Sequence, residues 1–458
     1  MTDTLTALSA CEAARAIRRR EITSTALVRA CLDRIAAVEP TIEAWAFLDP
    51  DYATVQAKAR DGAQAEGEPL GPLHGVPVGI KDIFDTADMP TENGTVLHAG
   101  RRPAEDSMVV ALLRAAGAVI LGKTVTTELA VYSPAKTRNP HDPSRTPGGS
   151  SSGSAAAVAA RMVPLTIGSQ TNGSVIRPAA YCGVVGYKPT HGLISRAGVL
   201  RQSLHLDHVG VFARTVEDAA SVAQELIAYD PRDPAMRPRP RPLLMELGNQ
   251  EPPSPPRFAF IKSPFWDQAD SDARAAFLEF KEHLQCREVE LPLPFAKAAQ
   301  VHRTILEADL ALSFSGEYQH GKEQLSPTLR AIIERGQGTL ATDYNRAVGS
   351  IPELRRALDD LLRDYDAILT PGTTGVAPAD LTSTGSPIFC TIWTLCGVPA
   401  VSLPLLRGPQ GLPLGVQIIG RNNDDARLLR TARWLSLWGG ATSEVNSTHN
   451  PRLSSRRA

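Results

Sequence analysis

From about residue 5 to 60, apolar and charged positions alternate at helical spacing, as in Ala26-Leu27-Val28-Arg29-Ala30-Cys31-Leu32-Asp33-Arg34-Ile35, with Thr23 and Ser24 as candidate caps. The spacing predicts a helical layer over 1–65, part of the same domain as the rest. From Gly71 the texture changes to short apolar runs broken by glycine and proline. His74-Gly75-Val76-Pro77-Val78-Gly79-Ile80 leads into Lys81-Asp82, and Ala118-Val119-Ile120-Leu121-Gly122 follows a helical stretch near 107–116. Bounded runs of this length predict strands, and their alternation with helices predicts an α/β sheet over 66–440. Later strands are expected at 258–261, 367–371, 398–404 and 415–420. The stretch 231–256, with Met236-Arg237-Pro238-Arg239-Pro240-Arg241-Pro242, predicts an exposed polyproline-type excursion. From 441 to 458 apolar periodicity is lost, which predicts a disordered tail.

Charge narrows the partners. Lys and Arg total 48 against 49 Asp and Glu, a net charge of −1, so bulk electrostatics gives no case for nucleic acid or an anionic membrane. No apolar run reaches the ~18 residues of a membrane helix, and Met1-Thr2-Asp3-Thr4 lacks a leader pattern, so a cytoplasmic protein is expected. The six cysteines are scattered without metal spacing and read as free thiols. His205-Leu206-Asp207-His208 reads as loop or core, and no metal is expected.

The chemistry concentrates in two hydroxyl- and glycine-rich clusters. Gly148-Gly149-Ser150-Ser151-Ser152-Gly153-Ser154 runs into the small-residue helix former Ala155-Ala156-Ala157-Val158-Ala159-Ala160, and Ser169-Gln170-Thr171-Asn172-Gly173-Ser174 follows. Glycine permits close backbone approach and serine offers a nucleophile or a proton relay. Gly149-Ser150-Ser151-Ser152-Gly153 formally fits a nucleophile elbow centred on Ser151. That motif needs a preceding strand, and the proline-punctuated loop 139–147 stands there instead. A flexible linker is disfavoured because the run opens a helix, whose N-terminus favours developing negative charge.

Gly79-Ile80-Lys81-Asp82, Thr146-Pro147-Gly148-Gly149-Ser150-Ser151-Ser152-Gly153-Ser154 and Thr171-Asn172-Gly173-Ser174-Val175-Ile176-Arg177-Pro178 resemble, in order and over most of 20–420, the amidase signature family of serine hydrolases. The resemblance implies an α/β amidase signature fold, a mixed central sheet covered by helices on both faces, and no cofactor. It implies a triad of Ser174 as acylated nucleophile, Ser150 as a bridging serine held by a cis peptide, and Lys81 as terminal base. A lysine can serve so only if it starts neutral, its pKa lowered by burial or a cationic neighbour. Backbone N–H groups of Thr171, Asn172, Gly173 and Ser174 would form the oxyanion hole, with Ser151 and Ser169 in support.

Three positions depart from the family pattern. Asn172 stands where glycine is usual and is the non-glycine residue that best tolerates positive φ. Gln170 replaces a frequent Asp. Arg177 follows the nucleophile by three residues, which resembles malonamidase-type members whose arginine reads a substrate carboxylate; an internal ion pair with Asp207 is the alternative. Gly149, Tyr132, Ile388, Phe389 and Trp393 are further expected substrate contacts. The expected reaction is hydrolysis of the C–N bond of a small amide by a chain that could form a homodimer. Alternatives are carboxylated amides or ureas, carbamates, and the role of amidotransferase subunit in a tRNA-dependent complex; Lys81-Asp82-Ile83-Phe84-Asp85-Thr86-Ala87-Asp88 is more like stand-alone amidases than that subunit.

Overall fold

The computed structural model describes residues 2–445. Eleven strands form one mixed sheet: β1 (Trp45–Leu48), β2 (Pro77–Lys81), β3 (Val119–Thr124), β4 (Leu165–Gln170), β5 (Val185–Lys188), β6 (His208–Ala213), β7 (Phe258–Phe260), β8 (Arg287–Glu288), β9 (Ala367–Pro371), β10 (Ala400–Arg407) and β11 (Pro413–Ile419). Their order is β1-β3-β2-β4-β6-β5-β10-β11-β9-β7-β8. β2 is parallel to β3 and β4, and β7 to β8 and β9; the other pairs are antiparallel.

The alternation of strand side chains shows why helices cover both faces. In β7, Phe258 and Phe260 join one buried cluster and Ala259 another; in β9, Ala367 and Leu369 join the first and Ile368 the second. The first cluster takes in the helices Ser24–Ile42, Met108–Ala115, Ser152–Ala159 and Val216–Leu226. The second is built with the helices Ala298–Ser313, Pro327–Gln337, Ala341–Leu361 and Ile388–Leu395.

Local details differ from the sequence pattern. The N-terminal layer contributes an edge strand, β1, antiparallel to β3, so it is part of the sheet as well as a cover. The arginine- and proline-rich excursion carries a short helix, Leu244–Gly248, and buries Met236 and Leu244, which anchor it. The final helix, Asp425–Val445, runs past the point where the tail was expected to lose structure, and 446–458 lie outside the described residues.

β2 and β4, adjacent and parallel, end at Lys81 and Gln170. The carboxyl ends of neighbouring parallel strands are where α/β sheets assemble sites, because chain leaves the sheet there. Both glycine- and serine-rich clusters converge on this end.

Candidate active site

Lys81 is the last residue of β2 and is fully buried. Its Nζ lies 2.7 Å from Ser150 Oγ and 2.8 Å from Ser169 Oγ. Burial holds its pKa well below the usual lysine value, and an ionised Asp207 would act in the opposite direction. Burial thus favours the neutral amine in a lysine that touches two hydroxyls, the arrangement a lysine base would need.

Ser150 follows a cis peptide bond from Gly149. Gly148, at φ +83°, needs to be glycine for this loop to turn, and a Cβ there would meet Pro178 Cα at 2.9 Å. Ser151 Oγ donates to Ser169 O at 3.1 Å and accepts from Ser169 N at 3.3 Å, which ties the serine loop to β4. Ser151 thus staples two segments, and a loop precedes it where an elbow needs a strand.

The loop from Thr171 to Ser174 is held on every side. Gln170 Oε1 accepts the N–H groups of Val175 and Ile176 at 2.8 and 2.9 Å, capping the start of the helix Ile176–Cys182, while its Nε2 donates to Thr394 Oγ1 at 2.9 Å. An amide at this position does what an acid could not: it accepts at one end and donates at the other. Thr394 Oγ1 donates to Asn172 O at 2.5 Å, and His302 Nε2 contacts Thr171 O at 3.0 Å. Gly173 lies so close to Pro387 that a Cβ would sit 2.9 Å from Pro387 Cβ.

Asn172 is not among the residues with positive φ, so backbone tolerance does not account for the asparagine. Its side chain is committed instead: Nδ2 donates to Tyr132 Oη at 2.9 Å and Oδ1 accepts from Thr391 Oγ1 at 2.8 Å. These residues line a cavity of about 780 Å³ whose other walls include Leu306, Ile332, Pro387 and Ile388. The 171–174 loop therefore borders a pocket large enough for a sizeable ligand.

The Amidase family profile matches residues 26–429. This chain belongs to the amidase family. It is 34% identical to a glutamyl-tRNA(Gln) amidotransferase subunit of Chloroflexus aggregans, over 97% of both chains. Among solved structures, it superposes with a TM-score of 0.84 on the peptide amidase of Stenotrophomonas maltophilia, at 30% identity over 95% of this chain and 97% of that one. It also resembles a chain described as part of an unexpected vestigial protein complex that reveals the origins of an s-triazine catabolic enzyme. There the TM-score is 0.88 at 28% identity, over 94% of this chain and 99% of that one. The amidase assignment makes the chain an amide-hydrolysing enzyme.

Two expected wall residues of this amidase are placed elsewhere. In the helix Ile388–Leu395, Ile388 and Thr391 share the cavity face at i, i+3, which turns Phe389 and Trp393, at i, i+4, away from it. Both are buried; Trp393 packs into the second cluster, and Phe389 O accepts from Gln417 Nε2 at 3.0 Å. Tyr132 and Ile388 line the cavity.

Arg177 needs a larger correction. It is buried, and its guanidinium donates to Gly385 O and Gly149 O at 2.6 Å each, so the ion pair with Asp207 is absent. Asp207 is engaged by Thr171, Gln202 and Ser203. Arg177 binds main chain because the helix Ile176–Cys182 aims it at the serine loop rather than at β6. Arg177→Leu would strand the buried carbonyl of Gly149 and the half-buried one of Gly385, for an expected loss of about 1–3 kcal/mol from the first and less from the second in unfolding free energy. A fallen melting temperature with uniform loss on neutral and carboxylated amides is the expected result; selective loss on the carboxylated amide at unchanged melting temperature would restore the carboxylate reading.

Residues that motif reasoning did not single out complete the site. Thr391, Thr394, Gln202 and His302 all brace the 171–174 loop, yet they lie 31 to 222 residues from their partners. Their side chains carry no local sequence signal. His208, which the spacing alone would pair with His205 on a metal, is buried with Nδ1 on Leu206 O at 2.6 Å.

Proposed function

We propose that this amidase cleaves the C–N bond of a linear amide through a seryl acyl-enzyme on Ser174. The observation that carries the reading is the buried Lys81 amine held between Ser150 and Ser169 at the ends of β2 and β4. Lys81 takes the proton of Ser150, Ser150 takes that of Ser174, and Ser174 Oγ adds to the amide carbonyl. The oxyanion forms against the N–H groups of the 171–174 loop. Collapse of the adduct breaks the C–N bond, and the proton returns through Ser150 to the leaving amine. Water then repeats the sequence on the ester, regenerating Ser174 and releasing the acid.

The acyl group would occupy the cavity of about 780 Å³ beside Asn172, against Pro387, Ile388, Leu306 and Ile332, with Tyr132 at its polar edge. Leu306, Ile332, Pro387 and Ile388 favour an apolar acyl portion, Arg335 on the same wall is paired with Glu307, and Arg177 is committed to main-chain carbonyls, which leaves Arg303 at the cavity as the cation a half-amide would have to use. A panel of aliphatic, aryl and half-amide substrates with a carbamate tests this. The expected order places aryl and longer aliphatic amides above the half-amide by about tenfold or more in kcat/KM, the scale of one or two buried methylenes; the reverse order would overturn it.

The identity to an amidotransferase subunit favours a second reading, in which the chain works with partner subunits. Turnover by the purified chain alone supports the stand-alone amidase. Activity that requires copurifying subunits supports the other.

A further inference from the structure

The sheet register places an acid beside the base. In the β4–β6 ladder Ser169 pairs with Val209 and Gln170 with His208, the last pair, and the residues just beyond it on the two chains are Thr171 and Asp207, whose side chains meet. A period of two puts Ser169, Thr171 and Asp207 toward one face, and all three line a second cavity of about 340 Å³. Thr171 Oγ1 lies 2.5 Å from Gln202 Oε1 and 2.7 Å from Asp207 Oδ1. Two oxygen–oxygen contacts of that length need two hydrogens, and the threonine hydroxyl carries one. Gln202 cannot supply the second, because its Nε2 donates to Leu129 O at 2.9 Å, which orients the amide with its oxygen toward Thr171. Asp207 Oδ2 accepts the N–H groups of Gln202 and Ser203, each at 2.9 Å. One oxygen accepting twice and the other needing a hydrogen is the pattern of a carboxylic acid.

We infer that Asp207 is a positioning residue that carries a proton on Oδ1 in the resting enzyme, donates it to Thr171 Oγ1, and by being uncharged leaves Lys81 as the free base. The inference rests on the proposed role of Lys81. An ionised Asp207 would pull the Lys81 pKa back up, toward an ammonium that cannot accept a proton.

The surroundings agree. Burial raises the Asp207 pKa against the pull of Arg196. Arg196 is matched by Asp233, through Nε to Oδ2 at 2.9 Å and Nη2 to Oδ1 at 2.6 Å. His208 is pushed well below the usual histidine range by burial, and His302 is lowered to about 4, so neither adds a charge near pH 7. Asp309 meets Ser203 and Tyr344 on the far side, with its own pKa raised by burial. Arg201 shares the smaller cavity.

Asp207→Asn keeps the shape and the hydrogen-bond pattern, its amide nitrogen donating to Thr171 and its oxygen accepting from the backbone. The expected result, whatever the change in kcat, is an acid limb of the pH–rate profile displaced by less than about 0.3 unit, because no charge has been removed. A downward displacement of about one unit or more would mean that an anion had been lost, and would overturn the proposal. Carbon-13 NMR of aspartate-labelled parent enzyme, with the Asp207 carboxyl assigned through its own backbone, needs neither turnover nor the variant. A midpoint above about 7 supports the proton on Asp207 at neutral pH, and one below about 7 overturns it. Failure of the Lys81 mechanism would appear as unimpaired turnover in Lys81→Ala with the NMR midpoint still high.

Discussion

Ser174→Ala is expected to abolish amide hydrolysis, lowering kcat by roughly 10⁴–10⁶-fold, the range over which single members of a serine triad act. Ser174 closes the loop that Gln170 caps and Thr394 braces, two residues after Asn172, which lines the large cavity. A hydroxyl there can be acylated only if its proton has somewhere to go, and in the proposed mechanism that route is the buried Lys81–Ser150 contact. A fluorophosphonate should label Ser174 and no other serine, with the modified peptide identified by mass spectrometry. Labelling of Ser151 would restore the elbow reading.

Lys81→Ala and Ser150→Ala should each remove most of the activity, by roughly 10⁴-fold or more, while the double variant loses at most about tenfold beyond the worse single. Both residues serve one proton path, so its second break has little left to destroy. The pH profile carries the same information. Burial places the Lys81 pKa below the usual lysine value; the amine is protonated below its folded pKa, and the rate should fall on the acid side and level off above it. Stability follows with a definite sign. Between the folded and unfolded pKa values the unfolded chain binds the extra proton, so stability should rise with pH through that window, and the cost of burying Lys81 is full below the folded pKa. In Lys81→Met that slope should diminish along with the activity. Near-normal turnover by Lys81→Ala at neutral pH would defeat the mechanism.

Much of the site could be read along the chain because its parts are local. An apolar run ending at Lys81 predicted a buried strand with a lysine at its tip, and β2 ends there. The run after Gly148 predicted a helix entered through serines, which begins at Ser152. Short apolar runs marked β3, β7, β9, β10 and β11, because strand burial writes itself into consecutive residues. The two-residue β8 and the N-terminal β1 left no such mark; edge strands this short are chosen by what the sheet offers them.

Arg177 shows where local spacing stops being informative. Its residue type and distance from Ser174 suggested a carboxylate, internal or on a substrate. Its partners are carbonyls of residues 149 and 385, brought to it by packing. The same holds for Phe389 and Trp393, whose aromatic character suggested a wall, although the phase of their helix was set by what it packed against.

The sequence by itself determined the family, the α/β class and the residues that can do the chemistry, since these depend on residue type, short spacing and hydrophobic period. Only the tertiary structure decided which of them meet: that Lys81 sits between Ser150 and Ser169, that Arg177 serves the main chain, and that Thr171 faces Asp207 across the β4–β6 register. The physical reason is that burial and proton sharing are properties of neighbours in space, and these neighbours are separated by between 28 and 208 residues of chain.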